Sequence, residues 1–229
     1  MRSLLTCAAL AVCMAFDLEA QANPDWPGLK RYAADNAALA PPSRGEQRVV
    51  FMGNSITEGW APRFAKAFPG EPYIGRGISG QTTPQMLVRF RQDVIALKPA
   101  IVVILGGTND IAGNTGPSTL EMIQDNVASM AELAKANGIK VVLCSVLPVS
   151  DYPWKRGLEP GPKIVALNAW IKAYANAHGA QYVDFHSAMV DAQLGLPKEL
   201  AADGVHPTAA GYEVMEKLVV QSIRAAGGK

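Results

Sequence analysis

The chain has 229 residues, 49% of them hydrophobic and 18% charged, with a net charge of +1. At this length a domain buries roughly 70% or more of its unfolded surface, and so apolar a composition excludes a disordered chain. The 21 glycines and 16 prolines follow no fixed period, which excludes a collagen-like repeat; balanced charge without a Lys/Arg cluster excludes a nucleic-acid binder.

Arg2 precedes an apolar run from Leu4 to Phe16, and Ala20-Gln21-Ala22 follows with the small-x-small pattern of a signal peptidase site. The run is shorter than the roughly 20 apolar residues of a bilayer-spanning helix, and Asp17 and Glu19 suit a membrane badly. Residues 1–22 therefore read as a signal peptide, and 23–229 as one exported domain, periplasmic or secreted, without stable membrane insertion. Cys7 and Cys13 leave with the signal. Cys144, inside the apolar run Val141 to Cys144, reads as a packed, inert thiol.

The rest alternates. Residues 23–47 read as a leading helix with a connector at Pro41-Pro42. Arg48 to Gly53 is the first strand-type run, and Tyr73 to Ile78 a weaker second. Pro84 to Leu97 reads as a helix with Met86, Leu87, Phe90, Val94, Ile95 and Leu97 on one broad face. Ala100 to Gly107 is the strongest strand run. A helix from Pro117 to Asn137 stops at Gly138, and Lys140 to Pro148 is the fourth strand. A helix from Pro162 to His178 stops at Gly179, Gln181 to Phe185 is the fifth strand, and Pro207 to Ala226 is the closing helix. Apolar, β-branched strands without alternation suit burial on both faces. Strands alternating with helices give an α/β fold with a parallel five-stranded sheet.

In such a sheet ligands bind beyond the carboxyl ends of the strands. The first strand ends in Gly53-Asn54-Ser55-Ile56-Thr57, where Ser55 is placed as a nucleophile. On this stretch alone, Ser55 or Thr57 equally suits a helix cap. The second strand is followed by Gly77-Ile78-Ser79-Gly80-Gln81, and the third ends in Gly106-Gly107-Thr108-Asn109-Asp110. Asn109 offers an amide with two donors, although Asn and Asp are also ordinary turn formers. Before the last helix stands Asp203-Gly204-Val205-His206-Pro207, a spacing that lets Asp203 and His206 hydrogen-bond within one loop.

Taken in order, Gly-Asn-Ser, Gly80, Gly-x-Asn and Asp-x-x-His resemble the blocks of the SGNH hydrolases, also called GDSL esterases and lipases. The likeness covers about residues 48–226, and its spacing is most similar to the branch of platelet-activating-factor acetylhydrolase subunits and bacterial carbohydrate acetylesterases. The resemblance implies a three-layer α/β/α sandwich of flavodoxin-like type. It implies a nucleophile at Ser55, a base at His206 and an orienting acid at Asp203. It also implies an oxyanion hole from the backbone N–H groups of Ser55 and Gly80 and the side chain of Asn109. One position departs from the family pattern: Asn54 stands where the family name places Asp, which puts the local hydrogen bonding in question.

Asp184 and His186 form a rival pair, because residues two apart in a strand point the same way. Asp110 is expected to brace its own loop. The loop Val149 to Pro162 carries Tyr152 and Trp154, aromatics placed to meet a sugar ring or flank an acyl chain. No metal-ligand spacing and no phosphate loop stands out, so no cofactor is expected. Three readings follow. The first is an esterase for small acyl groups, acetyl on carbohydrate among them. The second is a lysophospholipase or thioesterase with a longer acyl pocket, and the third a non-catalytic carbohydrate binder on the same fold. The expected partner is a small-molecule or glycan ester.

Overall fold

The protein is described here by a computed structural model covering residues 24–227; the signal-peptide reading of residues 1–22 lies outside the described residues. A short helix α1 (Ala33–Ala38) leads into β1 (Val49–Gly53), followed by α2 (Ser55–Trp60), α3 (Phe64–Ala67) and β2 (Tyr73–Gly77). Next come α4 (Thr83–Asp93), β3 (Ile101–Leu105), α5 (Thr108–Ala112), α6 (Leu120–Ala136) and β4 (Lys140–Cys144). The chain closes with α7 (Pro160–His178), β5 (Gln181–Val183), α8 (Phe185–Met189) and α9 (Ala209–Ala225).

Side chains alternate across a strand, and here both faces are buried. Val50 and Met52 of β1, Val102 and Ile104 of β3 and Leu143 of β4 pack with Met86 and Phe90 of α4, Ile123 and Val127 of α6 and Leu167 of α7. Val49 and Phe51, Ile101 and Val103, and Val142 and Cys144 face the other way, against Trp60 of α2, Phe64 of α3, Phe185 of α8 and Met215 and Val219 of α9. Two cores on one sheet make the three-layer α/β/α sandwich, and they explain why these strands read as continuous apolar runs. Phe51 anchors the second core, its ring 4.6 Å from that of Phe64 and 5.4 Å from that of Trp60.

The sheet is wholly parallel, in the order β2-β1-β3-β4-β5. The chain leaves β1 for β2 on one side and returns to β3 on the other. The strand order therefore reverses between β1 and β3, where the ends of two diverging loops leave a crevice for a ligand.

The helices start where local chemistry allows. Thr82 and Gln85 close a capping box on α4. Thr119 and Thr208 cap α6 and α9 through their hydroxyls. The expected helix Pro84 to Leu97 ends early, at Asp93. Val94 leaves helical geometry, Ile95–Leu97 form a 3-10 turn, and Lys98 takes a left-handed φ of 51°. The expected leading helix over 23–47 shortens to the six residues of α1, because residues 24–32 run as turns laid against α4. The short helices α5 and α8 fall where the sequence suggested the ends of strands.

Candidate active site

Ser55, Gly80, Asn109 and His206 come from four separate stretches of chain, and all line one open cleft of about 320 Å³ together with Ser79, Asn114 and Trp154. Ser55 opens α2, so its backbone N–H belongs to the first-turn donors that lack an intrahelical partner. Asn54 is the N-cap, and its Oδ1 accepts from the Ile56 N–H at 3.2 Å. An Asp at this position would accept in the same way, so the departure from the family pattern leaves the cap intact. Helix α2 lies close on the sheet because β2 ends in Gly77. A Cβ there would sit 2.1 Å from the Glu58 nitrogen and 2.6 Å from the Asn54 oxygen.

The loop from Asp203 to Pro207 is folded by its own carboxylate. Asp203 Oδ1 accepts from the backbone N–H groups of Val205 (2.9 Å) and His206 (2.8 Å), while Oδ2 accepts from His206 Nδ1 at 2.7 Å. Val205 is buried and pins the loop to the core. Partial burial works to raise the Asp203 pKa, but the His206 ring and the two backbone donors together hold the carboxyl below its ordinary value. An ionised carboxylate only accepts, so the ring proton sits on Nδ1 and leaves Nε2 as an acceptor. That Nε2 is 2.9 Å from Ser55 Oγ.

Asn109 is 2% exposed. Its Nδ2 donates to the Gln81 carbonyl at 2.9 Å, joining the third loop to the second. Gly80 has a φ of 77°, a region that residues with a Cβ rarely adopt. Its carbonyl accepts from Asn114 Nδ2 at 3.3 Å, and Asn114 Oδ1 accepts from Trp154 Nε1 at 3.2 Å. The indole is 45% exposed and its ring centre lies 6.4 Å from that of His206.

Two expectations need correcting. Tyr152 is not open to a ligand. It is fully buried, its hydroxyl donates to the Thr108 carbonyl at 2.8 Å, and burial pushes its pKa up to about 12. Its ring instead backs Trp154, 5.0 Å away. Asp110 braces more than its own loop: it accepts from Thr83 N (2.9 Å) and Thr83 Oγ1 (2.6 Å), tying that loop to the start of α4.

The rival pair is not assembled at the cleft. Asp184 lies past β5 and caps α8, accepting from Ser187 N and Oγ at 2.9 Å. His186 is buried, with Nε2 unpartnered and a pKa lowered chiefly by burial. Cys144 is buried, which pushes its thiol pKa up. Among the described residues, no group of three or more His, Cys, Asp or Glu side chains is placed to hold a metal ion, and no helix is long and apolar enough to cross a membrane.

Ser79 and Asn114 reach the cleft without having been singled out in the sequence. Their only signal was position, one residue before Gly80 and five after Asn109.

Residues 51–214 match the model of the GDSL-like Lipase/Acylhydrolase family. The chain belongs to this family. The esterase TesA of Pseudomonas aeruginosa is 30% identical over 72% of this chain and 78% of its own length. An acetylxylan esterase of Xylanibacter ruminicola is 25% identical over 82% of this chain, which spans 45% of that longer protein. The crystal structure of a GDSL-like lipase from Bacteroides thetaiotaomicron is 53% identical, with a TM-score of 0.84 over 87% of this chain and 98% of that one. This GDSL-family protein is accordingly a carboxylic ester hydrolase, with the five-stranded α/β architecture of the family.

Proposed function

We propose that this hydrolase removes small acyl groups, acetyl above all, from esterified carbohydrate, with Ser55 as nucleophile, His206 as base and Asp203 as the orienting acid. The observation that carries the reading is the continuous chain Ser55 Oγ, His206 Nε2, His206 Nδ1, Asp203 Oδ2, with links of 2.9 and 2.7 Å. A serine hydroxyl is a poor nucleophile until a base takes its proton. As Oγ bonds to the ester carbonyl carbon, its proton passes to Nε2 and Asp203 stabilises the imidazolium. The carbonyl oxygen becomes an oxyanion, met by the N–H groups of Ser55 and Gly80 and the second N–H of Asn109 Nδ2. Collapse breaks the bond to the alcohol, which leaves with the proton from Nε2. Water then repeats the sequence on the acyl-serine, giving the acid and free Ser55.

The short-acyl preference rests on the lining of the cleft. Of its seven residues, only Trp154 brings a large apolar side chain. A long acyl chain gains about 0.8 kcal/mol for each buried methylene, and that gain needs an apolar trough. The exposed indole beside His206 instead suits the face of a sugar on the alcohol side, in keeping with the name of the acetylxylan esterase relative. Export follows from the pattern in residues 1–22.

A panel of p-nitrophenyl esters with acetylated xylo-oligosaccharides tests this reading. We expect kcat/KM to peak between acetate and butyrate and to fall by octanoate, with acetate released from the oligosaccharides. A rate still rising at decanoate moves the assignment to a lysophospholipase or thioesterase; no turnover of any ester leaves a carbohydrate binder.

A further inference from the structure

The second loop carries Gly80, yet it is short, exposed and built around a left-handed residue. Something must fix the direction of its N–H groups. The residues on either side of Gly80 are clamped. Ser79 donates its N–H (2.8 Å) and its hydroxyl (2.5 Å) to Glu58 Oε2. Gln81 accepts at Oε1 from Arg89 Nε at 2.6 Å and donates from Nε2 to the Pro27 carbonyl at 2.7 Å.

The Gln81 clamp ends directly on residues 26–32 and the Glu58 clamp is continued to them by Arg31, in a segment that precedes the stretch matched by the family model. Arg31 holds the other oxygen of Glu58 at 3.1 Å. The Tyr32 hydroxyl donates to the Gly77 carbonyl, at the start of the loop. The segment is itself fastened down by two glutamines of α4: Gln85 Nε2 donates to the Trp26 carbonyl (2.7 Å) and Gln92 Nε2 to the Leu29 carbonyl (2.5 Å). Partial burial acts to raise the Glu58 pKa, but Ser79 and Arg31 bring it below the ordinary value, so the clamp is ionised at neutral pH.

We propose that residues 26–32 form a strap that positions the oxyanion loop, with Arg31, Tyr32 and the Gln81 side chain as positioning residues for the Gly80 donor. The proposal rests on the serine-esterase reading above. None of these side chains lines the cleft, so the strap acts on the rate of the chemical step and leaves ground-state binding unchanged.

The test compares wild type with Arg31→Ala, Tyr32→Phe and the double variant, all in the full chain, on p-nitrophenyl acetate. Full loss of one oxyanion donor lowers kcat by roughly 10²–10³; a misaimed donor in the double variant should lower it about tenfold, with KM within about twofold. The Ki of a boronic acid, whose tetrahedral adduct on Ser55 fills the same hole, should rise by a similar factor, and Arg31→Lys should recover much of the single-variant loss. A kcat within twofold of wild type, or a kcat loss with unchanged boronic acid affinity, overturns the strap. If the double variant does not fold, Arg31→Ala decides alone, since its side chain is 49% exposed. Ser55→Ala runs beside them: retained activity there removes Ser55 as the nucleophile and the strap with it, whereas a dead Ser55→Ala beside fully active strap variants removes the strap only.

Discussion

Asn109→Ala separates the chemistry of the cleft from its architecture. One N–H of Nδ2 is committed to the Gln81 carbonyl at 2.9 Å, and the side chain lines the cleft beside Ser55. Truncation removes the donor proposed for the oxyanion, which in comparable sites costs about 2.7–4 kcal/mol, or roughly 10²–10³ in kcat. It also strips the Gln81 carbonyl of its partner. A buried acceptor left unpaired costs about 1–3 kcal/mol, and a domain of this size loses about 2–4 °C in Tm for each kcal/mol, so the melting point should fall by about 2–12 °C. Steady-state kinetics on p-nitrophenyl acetate with a thermal melt of the same sample measures both, with KM expected to change little. A variant that melts lower but keeps kcat within threefold of wild type would refute the donor role and leave Asn109 as a loop brace.

His206→Ala should lose at least about 10³ in kcat, while His186→Ala, at a buried position away from the cleft, should stay within about threefold; the reverse order would restore the Asp184–His186 pair. The depressed Asp203 pKa means that the unfolded state binds the proton more tightly. The associated stability is full above the ordinary value of 3.8 and is lost as pH falls through it toward the folded value. The Tm gap between wild type and Asp203→Asn should therefore narrow in acid; a gap that widens contradicts the assignment. Trp154→Ala should lower kcat/KM on acetylated xylo-oligosaccharides about tenfold, near 1.4 kcal/mol of lost apolar contact, and p-nitrophenyl acetate turnover much less. Phe51→Ala, at the centre of the second core, should cost about 3–5 kcal/mol in denaturant unfolding; a cost under 1 kcal/mol would mean that the core is not organised around that ring.

The sheet was legible because burial on both faces leaves no polar residue within β1 or β3, whose runs are Val-Val-Phe-Met-Gly and Ile-Val-Val-Ile-Leu. Ser55, Gly80, Asn109 and His206, which line the cleft, were legible because they stand in short blocks, just past β1, β2 and β3 and just before α9, whose order survives in the sequence. What escaped notice depends on contacts between distant parts of the chain. Arg89 reads as an ordinary helix arginine, yet it is fully buried, paired with Asp93 at 2.9 Å and donating to the carbonyls of Gly53 and Arg76. Tyr152 reads as a loop aromatic like Trp154, and only packing against Thr108 separates the buried ring from the exposed one. Residues 24–32 fell inside the expected leading helix, but Pro24, Pro27 and Gly28 break helical geometry, and glutamine amides from Gln81, Gln85 and Gln92 take up the carbonyls of Pro27, Trp26 and Leu29.

The central claim is that Ser55 is the nucleophile, and the most direct measurement is covalent labelling by a fluorophosphonate followed by peptide mapping. The adduct should form on Ser55 alone, its formation should track the loss of esterase activity, and Ser55→Ala should take up no label while keeping a wild-type melting point. A label on any other serine, or esterase activity that survives in Ser55→Ala, would contradict the account.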